Sequence, residues 1–196
     1  MLTDQAAGRG EVLDGLDWIL KETTSNDVSM VFLAGHGVND DYGNYYYLPR
    51  DVDTNKLRRT AIPYAEIKNT VTSIAGKALF FIDTCHSGNV LGQRRGVADI
   101  NGIVNELKSA ENGVVVFASS SGRQYSMEDP EWNNGAFTKA VVEGLNGQAA
   151  YQGGNRITVN MLNLYVAERV KRLTEGRQTP TTAMPETVPD FPIALK

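Results

Sequence analysis

The stretch Ala78-Leu79-Phe80-Phe81-Ile82 carries five apolar residues with no polar alternation and then breaks into Asp83-Thr84-Cys85-His86-Ser87-Gly88. A strand with one wet face alternates, whereas an unbroken apolar run of this length fits a strand covered on both faces, as in a parallel sheet flanked by helices. Sheets of that kind place their chemistry just beyond the carboxyl ends of the strands. This run therefore delivers the only cysteine of the chain, Cys85, to that rim. A second apolar run, Val28 to Ala34, ends in Gly35-His36-Gly37. If the two strands are parallel neighbours, His36 and Cys85 arrive at one edge of the sheet although they are 49 residues apart.

The two side chains make a chemical pair. A free thiol is mostly protonated near neutral pH, and an imidazole held beside it removes the proton and stabilises the thiolate. His36 is placed to do so from a neighbouring strand. His86 is the weaker partner, because consecutive residues of a strand point to opposite sides. Gly35 and Gly37 allow close approach of the backbone, and the Gly37 N–H is a candidate donor to an oxyanion.

Composition narrows the alternatives. With 196 residues and 41% hydrophobic content, the chain is long enough for one sizeable core, and a single domain over 1–196 is expected. A net charge of −4 without a basic tract points away from nucleic acid and from anionic membrane surfaces. One cysteine cannot form an internal disulfide, and the sequence has no leader-like segment and no run of eighteen apolar residues, so a cytoplasmic protein is expected. One cysteine and two histidines also lack the spaced ligand pairs of a structural zinc site. Neither a metal nor another cofactor is expected.

The remaining elements follow from periodicity and turn chemistry. Met1-Leu2 reads as the tail of a strand and Thr3 or Asp4 as a helix cap, with the helix running to Glu22 on Val12, Leu13, Leu16, Ile19 and Leu20. Trp18 reads as packing. Val38 to Asn44 is turn-forming, and Tyr45-Tyr46-Tyr47-Leu48-Pro49 completes a hairpin whose aromatics pack. Ile62 to Ile74 reads as a helix with Pro63 in its first turn, and Ile100 to Ala110 as another. Val114 to Ala118 is a buried strand, Gly135 opens a helix to Leu145, and Thr158 caps a last helix through Leu173. Pro180, Pro185 and Pro189 mark an extended tail before an edge strand at Phe191–Leu195. The alternation predicts an α/β fold, a mostly parallel sheet between two layers of helices.

At these residues the chain resembles a known family. Ala34-Gly35-His36-Gly37 and Asp83-Thr84-Cys85-His86-Ser87-Gly88 are similar to the His-Gly and Asp-x-Cys-x-Ser-Gly motifs of caspase-like cysteine peptidases, closest to the prokaryotic metacaspase-like (orthocaspase) branch. The resemblance implies a large-subunit part at about 1–90, an intervening loop and helix at 91–111, and a small-subunit part at about 112–196. It also implies a strand and helix before Thr3, so the sequence reads as an N-terminally truncated member whose His36 strand shows an open sheet edge.

Its further implications concern specificity. The residue matching Asp83 lies in the pocket that selects Arg or Lys before the scissile bond, and Tyr125-Ser126-Met127-Glu128 resembles the Tyr-Ser-Trp-Arg segment of the aspartate-selective caspases, with an acid in place of the arginine. Asp129 is the alternative to Glu128 if the alignment slips by one residue. Arg94-Arg95 is either a self-processing site or a solvated charge pair. The calcium pattern of metacaspases fails, since Gly92 and Tyr64-Ala65-Glu66 stand where its carboxylates would be. The expected function is a cysteine endopeptidase acting on protein or peptide substrates through His36 and Cys85, with Gly37 and Cys85 amides as the oxyanion donors. A catalytically inactive interaction or regulatory module is the competing class, and an acyltransferase on the same sheet is a third.

Overall fold

The computed structural model describes residues 1–86, 100–108, 113–120, 126–132, 134–151 and 154–196, with only the backbone described at 85, 86, 100, 101, 108 and 131. Its strands are β1 (Val28–Asn39), β2 (Tyr45–Leu48), β3 (Ile62–Pro63), β4 (Lys77–His86), β5 (Val114–Ala118), β6 (Glu128–Asp129), β7 (Asn134–Gly135), β8 (Arg156–Thr158), β9 (Thr181–Ala183) and β10 (Pro192–Leu195). The α-helices are α1 (Arg9–Glu22), α2 (Leu57–Thr60), α3 (Tyr64–Ser73), α4 (Ile100–Lys108), α5 (Ala136–Glu143) and α6 (Val159–Leu173). Six strands form one sheet in the order β3-β2-β1-β4-β5-β9. Its centre, β1-β4-β5, is parallel, and β2, β3 and β9 join antiparallel at the flanks.

The apolar run of β4 is covered on both faces, as its sequence requires. Phe80 and Ile82 face a core shared with Val12 and Leu16 of α1, Ile67 and Val71 of α3, and Val104 and Leu107 of α4. Leu79 and Phe81 face the opposite core, built with Phe137 and Val141 of α5 and Leu162 and Val166 of α6. Register across the centre is marked by aromatic stacking. Phe32 pairs with Phe81, and Phe81 with Phe117, with ring centroids 5.7 and 4.9 Å apart.

Five expectations change in detail, and one of them is that Val38 and Asn39 extend β1 instead of opening the turn. The first helix does not start at Thr3 or Asp4: a 3-10 turn covers Asp4–Ala6, and α1 begins after an extended Gly8, its Arg9 N–H capped from a distance by the Asp51 carboxylate at 2.8 Å. Met1-Leu2 is not a strand. Ile62–Pro63 belongs to the sheet, pairing with Tyr46 and Tyr47, so the helix starts only at Tyr64, because Pro63 holds an extended ψ of 141°. At the other end, the proline-rich segment contributes β9 to the main sheet, while β10 pairs with β8 in a separate two-stranded sheet. The Thr158 cap is present, its hydroxyl accepting the Met161 N–H at 3.3 Å.

β1 has an uneven environment. On the side away from β4, β2 pairs only with His36–Asn39, so among the described residues Val28–Gly35 have no strand neighbour there. On the face shared with α5 and α6, Met30 and Phe32 remain 39% exposed. The Phe32 ring nonetheless lies 6.5 Å from that of Phe137 on α5. No helix among the described residues is long and apolar enough to cross a membrane.

α5 and α6 are fastened by a partly buried cluster in which Glu143 accepts two hydrogen bonds from Arg169 (2.6 and 3.1 Å) and one from the Tyr165 hydroxyl (3.1 Å), with the Lys139 ammonium 3.3 Å away. The Arg169 guanidinium, aided by Lys139 and Tyr165, outweighs burial and lowers the Glu143 carboxyl from 4.5 to about 2. A depressed carboxylate contributes stability that is complete above its unfolded pKa and is lost as pH falls through the folded one. Wild-type stability against urea should therefore fall between pH 4.5 and about 2 by a component that the Glu143→Gln protein lacks, giving the variant the flatter profile over that window.

Candidate active site

The parallel ladder sets His36 opposite Cys85 at the carboxyl ends of β1 and β4. This is the meeting that the two motif-bearing runs predict. His36 is exposed at that rim. The Cys85 and His86 side chains lie outside the described residues, as do Arg94, Arg95 and Gly92, so the thiol geometry, the candidate processing site and the calcium position have no structural description. Among the described residues, no three His, Cys, Asp or Glu side chains gather in a way that could hold a metal ion.

The glycines flanking His36 have a reason that the sequence reading did not include. The tyrosines of β2 lie across them. A Cβ on Gly37 would stand 2.0 Å from the Tyr45 hydroxyl, and one on Gly35 3.1 Å from that of Tyr47, where the backbone also holds φ at +149°. Tyr45 donates to the Thr84 hydroxyl (3.1 Å), and Tyr47 donates to the Ala34 carbonyl (3.0 Å). Burial pushes both phenols above their ordinary range. Two buried side chains of the hairpin thus brace the strand end that carries His36, one reaching over β1 to β4. Gly37 itself is buried, and its N–H is the candidate oxyanion donor.

Asp83 is only 7% exposed and lies two residues before Cys85 on β4. A carboxylate this enclosed needs donors or a cation. Here it has donors: the Ser126 hydroxyl at 2.7 Å on Oδ1 and the Thr138 hydroxyl at 2.5 Å on Oδ2. Among the described residues no cation pairs with it. Gly135 lies against the same carboxylate, and a Cβ there would stand 3.2 Å from Oδ2. Glu128 is the ladder partner of Gly135, and Asp129 pairs one step further away with Asn134, so Glu128 holds the nearer register position to Asp83. Glu128 is exposed and Asp129 half-buried.

Sequence reasoning placed Asp83 but missed the hydroxyls that hold it. The signal available was the pair of hydroxylic residues at element ends, Ser126 before β6 and Thr138 in the first turn of α5. A separate cleft of about 660 Å³ opens between β2, α3 and α4, with Tyr45, Tyr64, Arg58 and Glu106 on its walls; neither His36 nor Asp83 lines it.

Comparison with known proteins follows the same lines. The family model described as "Caspase domain" matches residues 3–191. Metacaspase-1 of Candida albicans (strain SC5314 / ATCC MYA-2876) is 29% identical over 96 residues, which is 42% of this chain and 21% of that protein. This match thus spans about a fifth of that curated relative's length. The crystal structure of protein GSU0716 from Geobacter sulfurreducens superposes with a TM-score of 0.64 at 18% identity, covering 96% of this chain and 77% of that one, a likeness of fold.

The contact between Gly37 and Tyr45 yields a measurable expectation. Gly37→Ala forces the Tyr45 ring off its seat and strains its bond to Thr84, so it should lower stability by about 1–3 kcal/mol, the usual cost of overpacking. Urea denaturation of the variant checks this; unchanged stability would mean that the ring yields freely.

Proposed function

The chain belongs to the caspase-domain family, and on that premise we propose that it is a cysteine endopeptidase that cleaves after Arg or Lys. The observation that carries the reading is the ladder pairing of His36 with Cys85 at the strand ends, with the buried Asp83 two residues earlier on the same strand. In this reading His36 takes the Cys85 proton and the thiolate attacks the carbonyl carbon of the scissile bond. The Gly37 and Cys85 amides receive the oxyanion, and the imidazolium returns its proton to the leaving amine. Water then hydrolyses the thioester, with His36 as base.

Asp83 supplies the selectivity. Its two oxygens each hold one hydroxyl donor, and an ionised carboxylate has about four acceptor sites, so capacity for a substrate cation remains. A guanidinium there gains a charge-assisted hydrogen bond, whereas a substrate Asp meets a like charge in a site with little water. Glu128, or Asp129, adds negative charge on the same side. Arg94-Arg95 fits the same specificity as a site of self-processing.

One observation favours the second reading, a non-catalytic interaction module. Among the described residues, Val28–Leu33 have no strand neighbour on the side away from β4, beside exposed Met30 and Phe32, and such an edge is a template for another chain. Hydrolysis separates the two readings, because an interaction module turns over no substrate.

With purified protein and fluorogenic peptides that differ only before the scissile bond, Arg and Lys peptides should be cleaved and the Asp peptide not, and Cys85→Ala should abolish the signal while keeping the wild-type circular dichroism. Asp83→Asn preserves the shape and removes the charge, so it should lower kcat/KM on the Arg peptide by about 2 kcal/mol, roughly thirty-fold. Preference of the wild type for Asp would reject the pocket assignment and leave the His36 and Cys85 chemistry standing. Separately, because Gly92 offers no carboxylate to a hard cation, chelation with EDTA should leave the rate unchanged; loss of rate that calcium alone restores would contradict this.

A further inference from the structure

Gln178 is fully enclosed, at 0% exposure, in the turn between α6 and β9. Glu175 and Gly176 turn the chain there with φ of 53° and 79°. The backbone N–H of Gln178 donates to the Thr174 hydroxyl at 3.1 Å, which in turn donates to the Val170 carbonyl at 2.8 Å. The side-chain amide is used at both ends. Its Nε2 donates to the Ser119 carbonyl at 2.6 Å, just past β5, and its Oε1 accepts the Met127 N–H at 2.7 Å.

Met127 is the junction that matters. Its carbonyl accepts the Ala136 N–H at 2.9 Å at the start of α5. One residue before Met127 stands Ser126, and two residues after Ala136 stands Thr138, the two hydroxyls that hold Asp83. One residue after Met127 stands Glu128. The amide of Gln178 thus ties the end of β5 to the backbone from which the whole cradle of the Asp83 carboxylate hangs.

We propose that Gln178 is a positioning residue for substrate selection: by fixing the Met127 backbone between Ser119 and Ala136 it sets the direction in which the Asp83 carboxylate faces a substrate cation. This rests on the reading of Asp83 as the selectivity residue. Without the amide, Ser126 and Thr138 lose their common reference, the carboxylate turns, and the hydrogen bond to a guanidinium loses its geometry. Cys85 and His36 sit on strands that Gln178 does not touch through any of these bonds, so the chemical step is spared.

The test compares wild type with Gln178→Met, which keeps the volume and removes both hydrogen bonds, and Gln178→Glu, which keeps the acceptor and loses the donor until protonated. Substrates are an Arg peptide and its neutral isostere with citrulline. Gln178→Met should raise KM for the Arg peptide roughly tenfold, one misdirected hydrogen bond, with kcat within about twofold and the citrulline peptide unaffected. Gln178→Glu should behave likewise at about pH 8 and approach wild type, normalised at each pH, towards about pH 5 as the buried carboxyl regains a proton to donate. A fall in kcat at constant KM, equal changes for both peptides, or no recovery at low pH would each overturn the assignment. If wild type cleaves neither peptide, the peptidase reading fails, and calorimetric titration with benzamidine decides: tenfold weaker binding to the variants supports Gln178, whereas equal binding, or none to wild type, rejects it. Failure of both variants to fold also rejects it, since Gln178 would then serve the domain and not the pocket.

Discussion

Registration of three phenylalanines governs the geometry of this molecule. Phe32, Phe81 and Phe117 stand in line across β1, β4 and β5 with their rings stacked, Phe81 and Phe117 in the core and Phe32 at its exposed margin. Offset or stacked aromatic pairs add to the burial of their area, and their size tolerates little sliding. Four residues beyond the Phe32–Phe81 pair, the same ladder sets His36 against Cys85. A slip of one residue would turn every side chain of β1 to the other face. A slip of two would set His36 against Asp83. The stack therefore protects the correspondence of His36 with Cys85.

Asp83 shows how the same framework keeps a charge near that rim. A buried carboxylate without partners is strongly unfavourable, and one fully paired with a resident cation would be neutralised. Two hydroxyl donors stabilise the carboxylate without cancelling its charge. They come from Ser126, before β6, and Thr138 of α5, elements of the C-terminal half, so the enclosure of the Asp83 carboxylate is assembled from both halves of the chain.

Much of this was legible in the sequence, for identifiable reasons. The unbroken apolar run before Asp83 announced a strand covered on both faces, and Val114–Ala118 and Val159–Leu173 carry patterns strong enough to locate their elements to the residue. The rim itself followed from two runs ending in chemistry-bearing residues. What could not be read were contacts between segments distant in sequence. Nothing in Gly35-His36-Gly37 announces that Tyr45 and Tyr47 lie over the glycines; local reasoning assigned them to backbone approach by a substrate. Likewise Thr181–Ala183 joins the main sheet because β5 presents it an edge, against the expectation raised by the prolines around it.

The parallel pairing of β1 with β4 has a temporal consequence. β1 and β2 are joined by a short turn, and the ladder between them at His36–Asn39 forms from local contacts. The other side of β1 can be completed only by closing a loop that reaches from residue 36 to residue 85, and such non-local closures are the slow steps of folding. On a ribosome, the strand bearing His36 emerges several seconds before β4 at about 5–20 residues per second. Until β4 arrives and docks, the nascent chain holds a histidine with no thiol opposite it. The pairing of His36 with Cys85 is thus withheld from the half-made protein by the order of its strands.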